Sequence, residues 1–570
     1  MTNITESENS LALYHWQAEI QQNIFQKNHN FEHTVNYYFG NNNELLQQLN
    51  EFGAIIPTTL ENLVVENHKD QNLPKIQNFD SFGQAIEKLI HHPNYAQIGD
   101  LIYQTQLLKY FSEPGGILKS MLFAYLSAHL GEAGHNCPIA CSAGLVRILK
   151  KYPQIKNSAF FLEKLLTPSY TQGFSAAQFL TEIQGGSDLS SNEVYANLDA
   201  EGEFHRIYGD KWFCSNANAD LFLLTARYDR KIPGTKGLGL FLVPARVNDQ
   251  ANQFQLKRLK NKLGTQTLAT AEINFNGSIA YAVGPVNQGI KIVLENVLNV
   301  SRMFNAVIVT GMTNRAWQIA NAYSKHRAAF GQTINQYPLV QENLSRIQAE
   351  NLALTASVFK TIQMQDDVDL GKITDEKQIL VLRLLINMNK YITALMSFDH
   401  IHHAIDTLAG NGVIESFSAL PRLLRDCIIC ENWEGTHNTL RMQILRDMHK
   451  YHVEQPFCEL IETQLTYFTD HPQTQAIQKS FAVLKDNLTI FNKLNPTKQS
   501  LKIKGMIDQM IKLFSAVTLL AEATHQQQTQ NANTKLNALK LFCHLHLNAQ
   551  IDDDEYLHLI RELTLSNDNF

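Results

Sequence analysis

The chain predicts a mainly α-helical protein with an inserted antiparallel β domain. Three observations lead there. Apolar residues recur at helical spacing through most of the first 172 residues. Between about 175 and 285 the pattern shortens into compact apolar or alternating runs separated by turn residues. From about 288 helical periodicity returns in long pieces and continues to the end. The expected domains are an N-terminal helical domain (1–174), a β domain (175–287), a helical domain (288–450) and a helical C-terminal extension (451–570).

Each element has its own warrant. Residues 1 to about 30 are polar and weakly patterned, which predicts an arm or frayed start. Gly116-Ile-Leu-Lys-Ser-Met-Leu-Phe-Ala-Tyr-Leu-Ser-Ala-His-Leu130 carries its apolar side chains on a 3.6-residue period. In the β domain, Leu221-Phe-Leu-Leu-Thr-Ala226 and Leu238-Gly-Leu-Phe-Leu-Val243 flank the turn signal Pro233-Gly234, and Thr270-Ala-Glu-Ile-Asn-Phe275 alternates up to Asn276-Gly277. Thr374 or Asp375 suits a helix cap, with a stop at Gly410-Asn411-Gly412. In the extension, Asn495-Pro496 and the polar run Gln526–Asn533 read as interruptions.

The bulk numbers exclude several classes. At 570 residues the chain exceeds a single core. A net charge of -6 does not suit a protein built as a whole for nucleic acid. No apolar run suggests a membrane span, the first residues lack a signal-peptide pattern, and seven cysteines make no disulfide framework, so a cytoplasmic setting is expected. Cys427-Ile-Ile-Cys430 lacks a second pair and reads as two buried helix cysteines, as do Cys137 and Cys141. No metal is expected.

Six stretches carry chemistry. Thr181-Glu-Ile-Gln-Gly-Gly-Ser-Asp188 offers hydroxyls at Thr181 and Ser187, with glycines that let a ligand approach the backbone. Alone, a polar surface turn is the better reading. Lys211-Trp-Phe-Cys-Ser-Asn216 puts aromatics before small polar groups, or simply ends a core strand. Arg302 sits in an apolar helix, where a cation needs a partner or must snorkel to water. His326-Arg-Ala-Ala-Phe-Gly-Gln332 sets a guanidinium beside an aromatic and a glycine, as a phosphate site or a helix C-terminus would. Finally Gly410-Asn-Gly412 precedes Trp433-Glu-Gly-Thr436, where Glu434 is either solvated or a positioned base.

In this order the stretches resemble the acyl-CoA dehydrogenase family. Thr181–Asp188 resembles its T-E-P-x-A-G-S-D signature, and Trp212-Phe-Cys-Ser215 falls where the family has W-I-T-N or W-I-S-N. Arg327-Ala-Ala-Phe-Gly331 resembles R-x-x-F-G, Leu408-Ala-Gly-Asn-Gly412 resembles L-G-G-x-G, and Trp433-Glu-Gly-Thr436 resembles Y-E-G-T. The resemblance spans roughly 90 to 450. Trp433, Leu259-Lys-Asn-Lys-Leu-Gly264, Glu132-Ala-Gly134 with Cys137-Pro-Ile139, and the helical extension are similar to the AidB-like branch, named for a flavoprotein of the bacterial alkylation response.

The resemblance implies a helical domain, a β domain and a four-helix domain holding FAD, and the removal of two hydrogens from an acyl-CoA thioester. Glu434 would take the α-proton while flavin N5 accepts the β-hydride. The backbone at Phe179 and Leu180, with Thr181, would face the isoalloxazine, and Phe213, Cys214 and Ser215 its other side. Ser187 would contact the phosphate region, and Arg302 and Gly435 the substrate region. Arg327, Phe330 and Gly410 would reach a neighbouring subunit's FAD, and Thr436 and Asn438 would touch FAD beside the base. A homo-oligomer, dimer or tetramer, and an electron-transfer flavoprotein as acceptor follow from the same resemblance. Asp406, Ala409 and Cys214 depart from the family pattern. The alternative is a DNA-associated protective flavoprotein of the AidB type. It is disfavoured by 13 acidic against 10 basic residues in 451–570, although Lys493, Lys498, Lys502, Lys504 and Lys512 cluster. A third expectation gives the apolar face Ile507, Met510, Ile511, Phe514, Val517 and Leu520 an oligomerising role.

Overall fold

The computed structural model describes residues 8–565. The chain forms two compact units, one of Leu60–Ala124 and Glu132–Phe304, the other of Met1–Thr59, Tyr125–Gly131 and Asn305–Phe570.

The first unit joins helices to a seven-stranded sheet. Its strands are β1 (Ala176–Phe179), β2 (Tyr195–Leu198), β3 (His205–Ser215), β4 (Leu221–Arg227), β5 (Leu238–Pro244), β6 (Phe254–Leu259) and β7 (Thr270–Ala282). The order runs β6-β7-β3-β2-β4-β1, and β5 pairs with both β7 and β4, so the sheet closes on itself. Closure leaves β4 and β5 buried on both faces, which is why their sequences are continuous apolar runs rather than alternating ones. Phe179, Phe222, Phe241, Ile207 and Cys214 fill the interior. The sheet is not wholly antiparallel, because β1 pairs in parallel with β4, from Ala176 opposite Leu221 to Phe179 opposite Leu224. Nor does β7 end at Asn276-Gly277. Gly277, at φ +90°, makes a bulge there and the strand continues to Ala282.

The helical stretch preceding the sheet contains a hairpin absent from the expectation, Lys75–Phe79 paired with Ala85–Ile90. The helix Ala133–Lys151 starts on Glu132, whose fully buried carboxylate accepts from the Gly134 amide at 2.9 Å and from the Thr267 hydroxyl, with His68 Nε2 at 3.1 Å. A Cβ on Gly134 would lie 2.3 Å from that carboxylate, so the cap requires glycine there.

The second unit is helical. Its principal elements are α1 (Asn299–His326, which begins in the first unit), α2 (Pro338–Asp369), α3 (Glu376–Leu408), α4 (Leu420–Asn432), α5 (His437–Tyr451), α6 (Pro496–Gln530) and α7 (Thr534–Leu547). Asp375 caps α3 by accepting from Lys377 N. Asn495 caps α6 in the same way through Lys498 N. The polar run at 526–533 is mostly helix, and only Asn531–Asn533 link α6 to α7. The long face that α6 buries carries the helix through its glutamines. The start of the chain is likewise no frayed arm where it is described. Residues Glu8–Ile20 are helical and Trp16 is buried, stacked on Phe417 with ring centroids 4.9 Å apart and donating Nε1–H to Ile319 O.

The α6 face of Ile507, Met510, Ile511, Phe514, Val517 and Leu520 is buried within the unit itself. It therefore serves this chain's own core, which overturns the oligomerising role expected of it. Lys535 and Glu522 form a buried ion pair that also meets the Thr34 hydroxyl, so the C-terminal helices are tied to the N-terminal segment. Two helical stretches, Val286–His326 and Glu376–Val413, are long and apolar enough by composition to cross a membrane. Their apolar windows are 78% and 72% buried inside the fold.

His129 is buried, with its ring nitrogens near Tyr125 O and Asn314 Oδ1, each at 3.0 Å, and burial lowers its pKa to about 4. The unfolded chain takes up this proton near pH 6.5, the folded chain only near 4. The stabilisation is therefore intact above 6.5 and lost as pH falls towards 4. The stability advantage of wild type over His129→Gln, from urea midpoints, should shrink between pH 7 and pH 5. A constant difference contradicts the assignment.

Candidate active site

In the sheet unit, the candidate residues converge on the loop leaving β1 and the last residues of β3. Trp212 N donates to Thr181 O at 3.0 Å, which ties the two together. Thr181 covers Gly186, where a Cβ would sit 2.7 Å from its Oγ1. Beneath the loop lies an ion pair that sequence reasoning missed. Lys211 Nζ donates to Glu182 Oε1 at 2.7 Å, both side chains being buried. The Glu182 carboxylate also accepts from the amides of Glu193 and Val194 and from Gln184 Nε2. Burial lowers the pKa of Lys211, while Glu182 opposes the shift. The loop shape is thus imposed from inside the protein. The only sequence signal was a lysine opening an otherwise apolar strand end.

The alternation of β3 sorts its three candidates. Phe213 is half-exposed, at 50%, with Lys260 Nζ 4.7 Å from its ring, and Ser215 is partly exposed, its Oγ 3.2 Å from Thr270 Oγ1. Cys214 points the other way, fully buried in the barrel interior. A role for the Cys214 side chain at a ligand ring is therefore corrected, because period-two geometry turns it inwards. Phe179 is also a core side chain, 5.0 Å from Phe222 between centroids, which leaves only its backbone for contact. Leu180 O accepts from Asn192 Nδ2 at 2.8 Å. Ser187 is exposed on the loop. Ser301 Oγ accepts from Gln178 Nε2 at 2.9 Å, so the helix start bearing the buried Arg302 is joined to β1.

In the helical unit, Glu434 lies in the short connection between α4 and α5. Trp433 ends α4 by donating its amide to Ile429 O, and Thr436 caps α5, its Oγ1 accepting from Thr439 N at 3.5 Å. Between them Glu434 adopts φ +58° and Gly435 φ +110°. A non-glycine residue in the left-handed region costs about 1–2 kcal/mol. Such a conformation persists only where its surroundings over-determine it. Here Lys390, fully buried on α3, donates to Glu431 O at 3.0 Å and to Gly435 O at 2.7 Å. Asn305 Nδ2 donates to Cys430 O at 3.0 Å. Lys390 was also missed by sequence reasoning. Its signal was a cation in the largely apolar stretch Leu384–Ile392, which also holds Asn387 and Asn389. Asn438 is exposed, and its Oδ1 accepts from Arg441 Nη1 at 2.7 Å.

Arg327 and Phe330 occupy a hairpin at the end of α1, with Ala328–Ala329 paired to Gln332–Thr333. Phe330, at φ +52°, and Gly331, at φ +93°, form its turn, and Phe330 is 98% exposed. The Gly410 segment reaches the same helix end through Asn411 Nδ2, which donates to Tyr323 OH at 3.1 Å. Gly412 is the sterically obligatory glycine, since a Cβ there would meet Ile405 O at 2.4 Å. Gly410 has open space around it.

Comparison with known proteins decides the family. Residues 177–278 match the acyl-CoA dehydrogenase middle domain, residues 287–449 the acyl-CoA dehydrogenase C-terminal domain, and residues 17–172 the N-terminal domain of the adaptive response protein AidB. The chain belongs to the acyl-CoA dehydrogenase family. Within this acyl-CoA dehydrogenase family it falls in the AidB-like branch. It is 28% identical to acyl-CoA dehydrogenase family member 11 of Caenorhabditis elegans over 70% of this chain and 66% of that one. It is 27% identical to the putative acyl-CoA dehydrogenase AidB of Escherichia coli K12 over 69% and 72%. The fold is similar to that of C. elegans ACDH-11 in complex with C11-CoA, with a TM-score of 0.83 at 23% identity, covering 96% of this chain and 95% of that one. It is also similar to a Bacillus anthracis acyl-CoA dehydrogenase complexed with FAD, with a TM-score of 0.69 at 18% identity, over 91% and 93%.

Among acyl-CoA dehydrogenase motifs, the departures at 406–412 acquire a physical reading. Asp406 is exposed, so its charge stays solvated. Ala409 ends α3 at φ +50°, a strained conformation that glycine would adopt freely.

Removing one partner of a buried ion pair strands a charge and costs about 3–5 kcal/mol. Lys211→Met should lower stability by about that amount in urea unfolding. The double variant Lys211→Met/Glu182→Gln should recover at least half. Equal stability of Lys211→Met and wild type contradicts the role given to the pair.

Proposed function

We propose that the protein is a FAD-dependent acyl-CoA dehydrogenase in which Glu434 removes the α-proton of an acyl-CoA thioester. The observation that carries this reading is the backbone at Glu434. A carboxylate set on a left-handed turn, with a buried lysine bracketing it, is presented in one direction rather than left to sample solvent. A weakly acidic carbon acid requires such aim. Family membership and the resemblance in fold to proteins with bound C11-CoA and bound FAD support the substrate class and the cofactor.

The residues present suit a flavin. Trp433 Nε1 is buried beside the base with no acceptor among the described residues. Thr181, Phe213 and Ser215 offer a hydroxyl, an aromatic face and a second hydroxyl on one tied loop and strand end. Backbone groups at Phe179, Leu180 and Cys214 and the hydroxyl of Ser187 would complete the hold, with Thr436 and Asn438 beside the base. When bound, FAD supplies the two-electron acceptor for the β-hydrogen. Glu434 takes the α-proton. Arg302 and Gly435 are assigned to the substrate. Arg327, Phe330 and Gly410 are assigned to FAD of a second subunit, because an almost wholly exposed phenylalanine at a hairpin tip suits contact with another copy of the chain. An electron-transfer flavoprotein is the proposed oxidant of the reduced enzyme.

The purified flavoprotein, titrated anaerobically with straight and branched acyl-CoAs, should lose its flavin absorbance with at least one of them. Glu434→Gln should slow that bleaching by about 10²–10⁴-fold, the usual contribution of a general base. Bleaching by the variant at the wild-type rate removes Glu434 from the mechanism. Bound FAD that no acyl-CoA reduces argues against the activity.

A further inference from the structure

We propose that Lys390 is the positioning residue of the base: its ammonium, by bridging the carbonyls of Glu431 and Gly435, fixes the backbone turn that aims Glu434. This inference rests on the role assigned to Glu434 above.

The argument begins with where the lysine is. Lys390 is 0% exposed, on a stretch of α3 whose neighbours Leu385, Ile386, Met388, Tyr391 and Ile392 are also buried. An ammonium is rarely tolerated in such a place unless it is hydrogen-bonded. A merely structural position is filled more cheaply by methionine or leucine, so the charge needs a reason. Its hydrogen-bond partners include two backbone carbonyls, at 3.0 and 2.7 Å. Glu431 O is one of the last four carbonyls of α4, which lack an acceptor role inside the helix and form its negative end. Gly435 O lies past the turn. The two carbonyls stand on either side of Glu434, and one rigid donor holds both.

The loop needs such a clamp. Glu434 and Gly435 are both at positive φ, and the connection between Asn432 and His437 has only four residues. If the bridge is lost, Glu434 can relax to an ordinary extended or helical backbone. The carboxylate would then swing away, since Cα–Cβ direction follows φ and ψ. A second chain of contacts runs from the neighbouring residue. Tyr391 OH donates to Asp508 of α6 and accepts from Arg441 Nη2 at 2.7 Å, and Arg441 holds Asn438. The same turn of α3 thus supports both ends of the base loop, and the C-terminal extension braces that turn from behind.

A misplacement of about 1 Å costs on the order of 10²-fold in rate with little effect on ground-state binding. The test uses the full-length, FAD-loaded protein with two variants: Lys390→Met, of matched length without hydrogen bonds, and Lys390→Gln, too short to span both carbonyls. In anaerobic flavin reduction by an acyl-CoA that bleaches wild type, the Met variant should lose about 30–100-fold in kcat and the Gln variant about 5–10-fold, each with KM within about threefold of wild type. Hydrogen exchange of the amides at 433–436 should be at least tenfold faster in both variants, and unchanged elsewhere on α3 and α5. Glu434→Gln separates the two ideas, because it should slow flavin reduction by about 10²–10⁴-fold while leaving loop exchange as in wild type. If Glu434→Gln retains turnover, the base assignment fails and the inference falls with it. If the Met variant does not fold or load FAD, the Gln variant decides. Either folded variant with kcat within twofold of wild type and unchanged exchange at 433–436 overturns the proposal.

Discussion

A fully buried ammonium bonded to two backbone carbonyls holds the left-handed turn that carries Glu434. Among the hydrogen bonds of Lys390 are two to main-chain carbonyls that flank Glu434. The lysine meets the carbonyl end of α4 and the carbonyl of Gly435. That choice of partner matters. A salt bridge would fix a side chain, whereas a bridge between carbonyls fixes the main chain itself. The main chain at Glu434 is what determines where the carboxylate goes.

The sheet unit solves a similar problem with the same residue type. Lys211 is buried beneath the Thr181–Asp188 loop, and through Glu182 it fixes the amides of Glu193 and Val194. In both units the surface loop that carries candidate ligand contacts is shaped by a lysine from the interior. The cost of burying each charge is offset by several hydrogen bonds to one partner set, which a single apolar residue would not organise. Loops held in this way can present strained or exposed groups, such as Glu434 at φ +58° or the exposed Ser187, without depending on bound ligand for their shape.

Much of this was legible in the sequence. The alternation of helical and short apolar segments gave the order of elements, and ordered motifs pointed to Thr181, Arg327 and Glu434 as a set. What was illegible had physical causes. Closure of the sheet depends on long-range pairing of β5 with β7, and the parallel pairing of β1 with β4 is likewise encoded by no local pattern. Cys214 was read as facing a ligand because it sits within a motif, yet strand alternation turns it into the core. The apolar face of α6 looked free because helices distant in sequence, α2 among them, join its chain neighbour α7 in packing on α6. Lys211 and Lys390 escaped notice because a lone lysine in an apolar run is ordinarily a snorkelling side chain, and only coordinates distinguish one that stays inside. The roles of the individual site residues go beyond these placements and stand as the reading proposed above.

The most direct test of the central claim, that Glu434 is aimed as a carbon-acid base, is exchange of the α-hydrogen itself. The protein would be incubated in D₂O without an electron acceptor, with an acyl-CoA it binds, and the recovered thioester examined by mass spectrometry. The account predicts deuterium at the α-carbon with wild type and, over the same time, at least 10²-fold less with Glu434→Gln. Exchange by Glu434→Gln at the wild-type rate would contradict it.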